Sequence, residues 1–248
     1  AEPSVMGVTS GAGVGAAIPI VSGASFAGTM TIPIGAFVAG LATTLLVWAL
    51  ARHRGKTAVV NLILVGIAVN AVAGATISFL LFLAPSTARE QIIFWQMGTL
   101  AGAQWKHVTP VACIAAFGIV CALFLGRKLD LLALGEGAAS HVGVNVQRLR
   151  TISVLLATLL SAGAVSYAGL IGFVGLVIPH IIRTAVGPSN SVLIPASALG
   201  GAALIAVADV VARNLIAYAD MPIGIFTALV GGPTFFILLR QMMRKGVH

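Results

Sequence analysis

Acidic side chains are scarce in this chain: six Asp and Glu stand against fourteen Lys and Arg in 248 residues, and charged residues make up only 8%. A surface so poor in charge does not hold a domain of this size in water, which excludes an ordinary soluble globule. The net charge of +8 invites a nucleic-acid partner. The basic residues, however, form short clusters between apolar runs and no continuous patch, so no nucleic acid is expected. Cysteine is nearly absent. Cys113 and Cys121 lie inside one apolar run without CxxC spacing, so they read as inert membrane residues, with no disulfide framework and no metal site. There is no HExxH, GxSxG or GxxxxGK[ST], which leaves no visible machinery for a membrane hydrolase or an on-chain ATPase. The opening Ala1-Glu-Pro-Ser4 lacks the basic start and apolar core of a signal peptide, and without an initial Met the chain is expected to begin part-way through a longer protein.

What is abundant is apolar length. Hydrophobic residues make up 59% and the mean hydropathy is +1.08. The apolar runs are roughly Gly11–Ala27, Met30–Leu50, Ala58–Ala84, Val108–Leu125, Thr151–Ala168, Leu170–Ile182, Val192–Val211 and Pro222–Leu239. They predict an all-α membrane protein, a polytopic bundle of about eight transmembrane helices. The stretch Thr151–Val186 decides the count, because it holds no acidic residue and its only basic side chains are His180 and Arg183. As one helix it would be about 54 Å long at 1.5 Å per residue, against an apolar bilayer core of about 30 Å. It must fold back, and Gly169, Gly172 and Gly175, followed by Pro179, mark the place. Broken helices of this kind suit a transporter interior.

Charge supports the same count. With eight passes, Arg52, Arg54, Lys56, Arg127, Lys128, Arg148, Arg150, Arg183, Arg240, Arg244 and Lys245 share one face, leaving Arg89, Lys106 and Arg213 on the other. Treating Thr151–Val186 as one pass would reduce that bias to near parity. The positive-inside rule then places the C-terminus in the cytoplasm. Gly11 and Gly15, and again Gly98 and Gly102, have the small-xxx-small spacing that lets helix backbones approach closely. The run Gly11-Ala-Gly-Val-Gly15 is no dinucleotide fingerprint, since no strand precedes it and no acidic residue follows about twenty positions on.

Two loops and one helix end stand out. In the inner loop 127–150, Leu131, Leu132, Leu134, Ala138, Ala139 and Val142 recur at helical spacing around Gly135 and Gly137. Two very short helices with a glycine break fit, either resting on lipid headgroups or forming an apolar knob that a cytoplasmic partner covers. In the outer loop 85–107, Ser86 and Thr87 are plausible caps for a short surface helix, about 86–100. Its Trp95, and Trp105 beyond it, are interface anchors or the mouth of a pathway. Asp209 and Arg213 are four apart, so they pair on one helix face, or Arg213 projects outward toward a carboxylate on a docking protein. His180 after Pro179 reads as a buried-turn residue that hydrogen-bonds a freed carbonyl, in preference to a metal ligand or proton relay.

At these residues the chain resembles the permease subunit of the ABC importers for ferric siderophores, haem and cobalamin. Gly7-Val-Thr-Ser-Gly-Ala-Gly-Val-Gly15, Leu132-Ala-Leu-Gly-Glu136, Val142-Gly-Val144, Gly172-Phe-Val-Gly-Leu-Val-Ile-Pro-His180-Ile-Ile-Arg183 and Ala208-Asp-Val-Val-Ala-Arg213 with Pro222-Ile-Gly224 carry the resemblance. It implies a single permease domain over 1–248, eight helices of a ten-helix family fold with the first two missing, and short cytoplasmic coupling helices. It implies Leu132, Leu134, Gly135, Glu136, Ala139 and Gly143 in the loop that touches the ATPase, and Arg213 as the arginine that meets the binding protein. Val59, Val60 and Asn61 would lie at the gate, Phe94, Trp95 and Met97 beside the entrance, and Pro222 and Gly224 at the start of a lining helix. Some family members carry small hydroxyl residues where this chain has Val59 and Val60.

The expected function is passage of an iron complex, ferric siderophore or haem, through a homodimer in a bacterial cytoplasmic membrane. The expected partners are a second copy, cytoplasmic ATPase subunits that hold the ATP and Mg, an extracytoplasmic substrate-binding protein and the lipid. No catalytic residue, metal or cofactor is expected in this chain. Cobalamin is the alternative cargo. A different class, an ion-coupled secondary transporter, would need buried Asp or Glu, whereas Asp209 and Glu136 fall near the ends of spans.

Overall fold

Backbone groups in lipid must be satisfied within the segment that crosses it, and helices dominate accordingly. The computed structural model describes residues 6–24, 28–53, 56–57, 59–215 and 221–245. Among them are ten helices: α1 (Val8–Val21), α2 (Thr31–Ala51), α3 (Val59–Leu83), α4 (Ser86–Met97), α5 (Trp105–Ala133), α6 (Glu136–His141), α7 (Val146–Ala168), α8 (Val174–Val186), α9 (Asn190–Leu215) and α10 (Ile223–Lys245). A two-residue antiparallel rung, β1 (Arg52–His53) with β2 (Lys56–Thr57), closes the connection after α2. The opening motif Ala1-Glu-Pro, the loop residue Arg54 and the Asp220 turn lie outside the described residues. Among the described residues five helices are long and apolar enough to cross a membrane, and Val8–Val21, Val174–Val186 and Ile223–Leu238 are shorter apolar ones. Those eight correspond to the eight apolar runs.

The chain divides into two compact units. The first comprises Ala1–Gln96, Ala103–Gly118 and Asn145–Leu170; the second comprises Met97–Gly102, Ile119–Val144 and Ile171–His248. In the first, α1 lies against α2 with almost no side chain between them. A Cβ on Gly15 would overlap the Gly35 carbonyl oxygen and come within 2.5 Å of Ala39 Cβ; one on Gly11 would lie 2.9 Å from the Ala39 oxygen. Lipid tails are as apolar as leucine, so this association draws on close van der Waals contact and not on hydrophobic transfer. Ala12, Ala16, Ala36 and Val165 complete the seam, with Trp95 packed against them. Helix α4 is seated by Ala88 and Ile92 on Ala17 and Ile20 of α1 and on Ala84.

In the second unit α8, α9 and α10 pack together. Phe173, which precedes α8, is the one non-glycine residue with positive φ (67°) among the described residues. A Cβ on Gly231 would lie 2.8 Å from Phe173 Cγ and overlap its Cβ, so the ring occupies the space that glycine leaves on α10. That packing offsets a backbone strain of roughly 1–3 kcal/mol. Gly231→Ala is expected to lower the melting temperature of the detergent-solubilised protein by several degrees. Phe173→Ala with Gly231→Ala should cost less than the sum of the two changes; strict additivity would refute the coupling.

Several expectations need correction. Hydropathy stops at Leu125, but α5 runs on to Ala133. The first of the two short helices expected in 127–150 is therefore the tail of α5, because Arg127 and Lys128 leave the membrane without breaking hydrogen bonds. Gly137 lies inside α6, and the break is at Gly135. Gly98 and Gly102 have φ of 71° and 77° and turn the chain between α4 and α5, so they are not a helix-packing pair. The outer helix ends at Met97, short of residue 100, and Ser86 and Thr87 are its first helical residues, not its caps. The pass expected from Leu170 starts at Val174, since Gly169 through Phe173 form the connection. Gly175, Pro179 and His180 belong to α8 itself, and His180 is half-buried in that helix, not in a turn.

Candidate transport and coupling sites

The segment expected to couple, 132–143, is shaped by a glycine. Gly135 has φ 114° and ψ 152°, a conformation essentially restricted to glycine, and it redirects the chain from α5 into α6. Leu134 is left 74% exposed and Val142 65% exposed, while Ala139 is fully buried. Leu132 is half-buried, and Glu136 and Gly143 are exposed. Gly143 (φ 84°) turns the chain out of α6, and Asn145 accepts the Arg148 N–H at 2.9 Å to cap α7. The result is a short helix pinned by Ala139 and flanked by two bare aliphatic side chains.

At the other end of α9, Arg213 Nε donates to Asp209 Oδ2 at 2.8 Å and its Nη2 donates to the Leu100 carbonyl at 3.1 Å. The sequence alternatives were a helix-face pair or a free fork. The pair is formed, yet the arginine side chain remains 44% exposed. The guanidinium thus ties α9 to the segment that follows α4.

The entrance and gate residues separate by environment. Phe94 is 57% exposed and Trp105 85% exposed. Trp95 instead turns inward onto the seam between α1 and α2, and Met97 is half-buried. Val59 opens α3, although its side chain lies outside the described residues; Val60 and Asn61 are exposed on the first turn. Pro222 accepts the Ile225 N–H and Gly224 accepts the Thr227 hydroxyl at 3.1 Å, which starts α10. A cavity of about 320 Å³ is lined by Thr9, Ser10, Gly13, Asn70, Ile77, Gln96 and Leu170, with the Ser10 hydroxyl donating to Asn70 Oδ1. Val59, Val60, Asn61, Phe94 and Trp95 belong to the first unit, and Met97, the α6 residues, Pro222 and Gly224 to the second. At the hairpin, Gly169 caps α7 (φ 70°) and Gly172 accepts the Val174 N–H at 2.9 Å, while Arg183 is exposed in the last turn of α8.

Sequence reasoning passed over Asp130. Its carboxylate accepts the backbone N–H of Asn190 through Oδ1, and the hydroxyls of Ser191 (2.9 Å) and Ser189 (3.1 Å) through Oδ2. No local pattern marks a pairing sixty residues away. Arg89 escaped notice in the same manner: it donates to the Leu81 and Ala84 carbonyls at the end of α3.

Comparison with known proteins converges on one family. The FecCD transport family model matches residues 1–241. The chain is 37% identical to the hemin transport system permease protein HmuU of Yersinia pestis, over 99% of this chain and 74% of that protein. It is 39% identical to the cobalamin import system permease protein BtuC of Halobacterium salinarum, over 97% of this chain but only 64% of the relative. The probable siderophore transport system permease protein YfhA of Bacillus subtilis is 38% identical over 96% of the chain and 71% of that relative. A solved protein classed as a metal-chelate type ABC transporter, in an inward-facing conformation, superposes with a TM-score of 0.88 at 31% identity, covering 97% of this chain and 76% of that one. With its helices, its glycine-broken connections and its exposed apolar faces, the chain belongs to the FecCD transport family, the membrane-spanning permeases of the ABC importers for haem, siderophores and cobalamin.

Proposed function

We propose that this chain forms, as a homodimer, the translocation pathway of an ATP-driven importer of an iron complex, a ferric siderophore or haem, in a bacterial cytoplasmic membrane with its C-terminus inside. The observation that carries the reading is the family match together with the bare Leu134 and Val142 around α6. A partner ATPase covers that knob and supplies ATP binding and hydrolysis. A substrate-binding protein docks on the opposite face, where Arg213 offers its remaining Nη1 edge to a carboxylate. Val59, Val60, Asn61, Pro222 and Gly224 line or gate the route, and Phe94 and Met97 flank its entrance. ATP binding favours one state of the bundle and the loaded receptor discriminates between states, so the two together drive alternation.

Two experiments test this. Tagged protein expressed with its neighbouring subunits should bring down an ATPase; its absence from the purified complex would refute the assignment. Arg213→Glu should weaken receptor binding at least tenfold, whereas an unchanged affinity would remove Arg213 from the docking surface. The 39% identity to a cobalamin permease keeps that cargo as the second reading. Titration of the receptor with haem, ferric siderophores and cobalamin separates the two.

A further inference from the structure

We propose that Asp130 and α9 form a strut that carries the state of the ATPase-coupling segment across the membrane to the receptor-docking face, with Asp130 as its positioning residue. The inference rests on the assignment of α6 to ATPase docking and Arg213 to receptor docking.

Four observations within the second unit carry it. Asp130 lies three residues before the end of α5, immediately ahead of Gly135 and α6. Its carboxylate takes the Asn190 N–H and both the Ser189 and Ser191 hydroxyls, so the first turn of α9 is capped from another helix and not from its own sequence. One turn earlier on α5, a Cβ on Gly126 would stand 3.0 Å from Ser191 Cα, so the two helices touch there at backbone distance. Finally, Pro195 lies inside α9. Lacking an N–H, it removes the bond that would hold the Ser191 carbonyl, so the first turn has one internal hydrogen bond fewer and its placement rests more on the Asp130 contacts, which take donors and do not replace that bond.

The far end of α9 completes the path. At 26 residues the helix is about 39 Å long, enough to cross an apolar core of about 30 Å. Its last turn holds Arg213, bound to Asp209 on the same helix and to the Leu100 carbonyl beyond α4. A carboxylate on free N–H groups at a helix N-terminus is a charge-assisted contact aligned with the helix dipole. Displacement of α6 pulls the end of α5, α5 pulls the start of α9 through Asp130, and α9 delivers the shift to Arg213.

The test uses the complete transporter, permease with ATPase and binding protein, in lipid nanodiscs. The readout is the ratio of receptor-stimulated to basal ATP hydrolysis. Asp130→Ala should reduce that ratio at least fivefold, toward no stimulation, and Asp130→Asn, which keeps an acceptor, should fall between. Gly231→Ala serves as the destabilised control, because its contact with Phe173 is remote from the clamp in sequence and shares none of its partners. A wild-type ratio in Asp130→Ala overturns the proposal, and so does an equal loss in Gly231→Ala. Should Asp130→Ala fail to assemble, Ser189→Ala with Ser191→Ala removes two of the three contacts while leaving the charge: a lowered ratio supports the strut, and an unchanged one overturns it. If the wild-type complex itself shows no receptor stimulation, the underlying functional assignment fails, which is a separate and recognisable outcome.

Discussion

Gly15→Leu is expected to abolish accumulation of folded protein. The position faces the Gly35 backbone so closely that even a methyl group would overlap its carbonyl oxygen and press on Ala39 Cβ. Four added heavy atoms force α1 and α2 apart along the whole seam, exposing Ala12, Ala16 and Ala36 and unseating Val165 and Trp95. Because contact distance is what holds helices together in lipid, separation removes the driving force itself. Gly15→Ala should cost about 3 kcal/mol, the upper end of ordinary overpacking, since its neighbours on α2 are backbone and cannot rotate away. Gly74→Ala is the control: nothing lies within 4 Å of the added Cβ, so it should be neutral or slightly stabilising. Monodisperse yield and melting in detergent measure both. A Gly15→Leu protein that purifies normally and melts with the wild type would remove the seam from the account.

The second large effect concerns transport. Gly135→Val should depress uptake at least tenfold in a protein that still folds and inserts. No atom lies within 4 Å of a Cβ at this position, so crowding is not the cause. The backbone is: with φ 114° and ψ 152°, a β-branched residue carries strain of about 1–3 kcal/mol, and the chain relieves it by reorienting α6. Leu134 and Val142 then no longer present themselves together. Gly137→Ala, two residues on, also meets nothing within 4 Å, but it lies inside α6 without a positive φ and should transport normally. Uptake of the radiolabelled or fluorescent cargo by reconstituted vesicles gives the comparison. Equal behaviour of the two variants, in either direction, would show that the conformation of Gly135 does not position the docking segment.

The pattern of what the sequence disclosed follows from the solvent. In a bilayer the length of an apolar run is fixed by the thickness it crosses, so the eight apolar helices and the break after Ala168 were readable from hydropathy and charge. The Gly11–Gly15 seam was readable because a helix repeats its face every 3.6 residues. The same spacing misled at Gly98 and Gly102, where the chain is not helical. Helix α5 outran its prediction because hydrogen bonding continues where hydropathy ends. Asp130, Arg89 and Phe173 were not legible at all: Asp130 meets an N–H and two serine hydroxyls some sixty residues away, Arg89 meets backbone carbonyls, and Phe173 is defined by a backbone angle. Between α5 and α6, Leu134 and Gly135 stood out because apolar residues beside a basic cluster are conspicuous. Asn145, the cap that starts α7, did not.

The Arg89 contacts have a mechanical consequence. With Nε on the Leu81 carbonyl and Nη2 on the Ala84 carbonyl, and with Ala88 and Ile92 seated beside Ala84, α4 is latched to the end of α3 as the short arm of a crank. The long arm is α3 itself, 25 residues or about 38 Å at 1.5 Å per residue, with Val60 and Asn61 at its tip. A tilt of about 8° imposed at the short arm would sweep that tip through about 5 Å, one helical turn, so a small rocking motion beside Phe94 suffices to displace Val60 and Asn61.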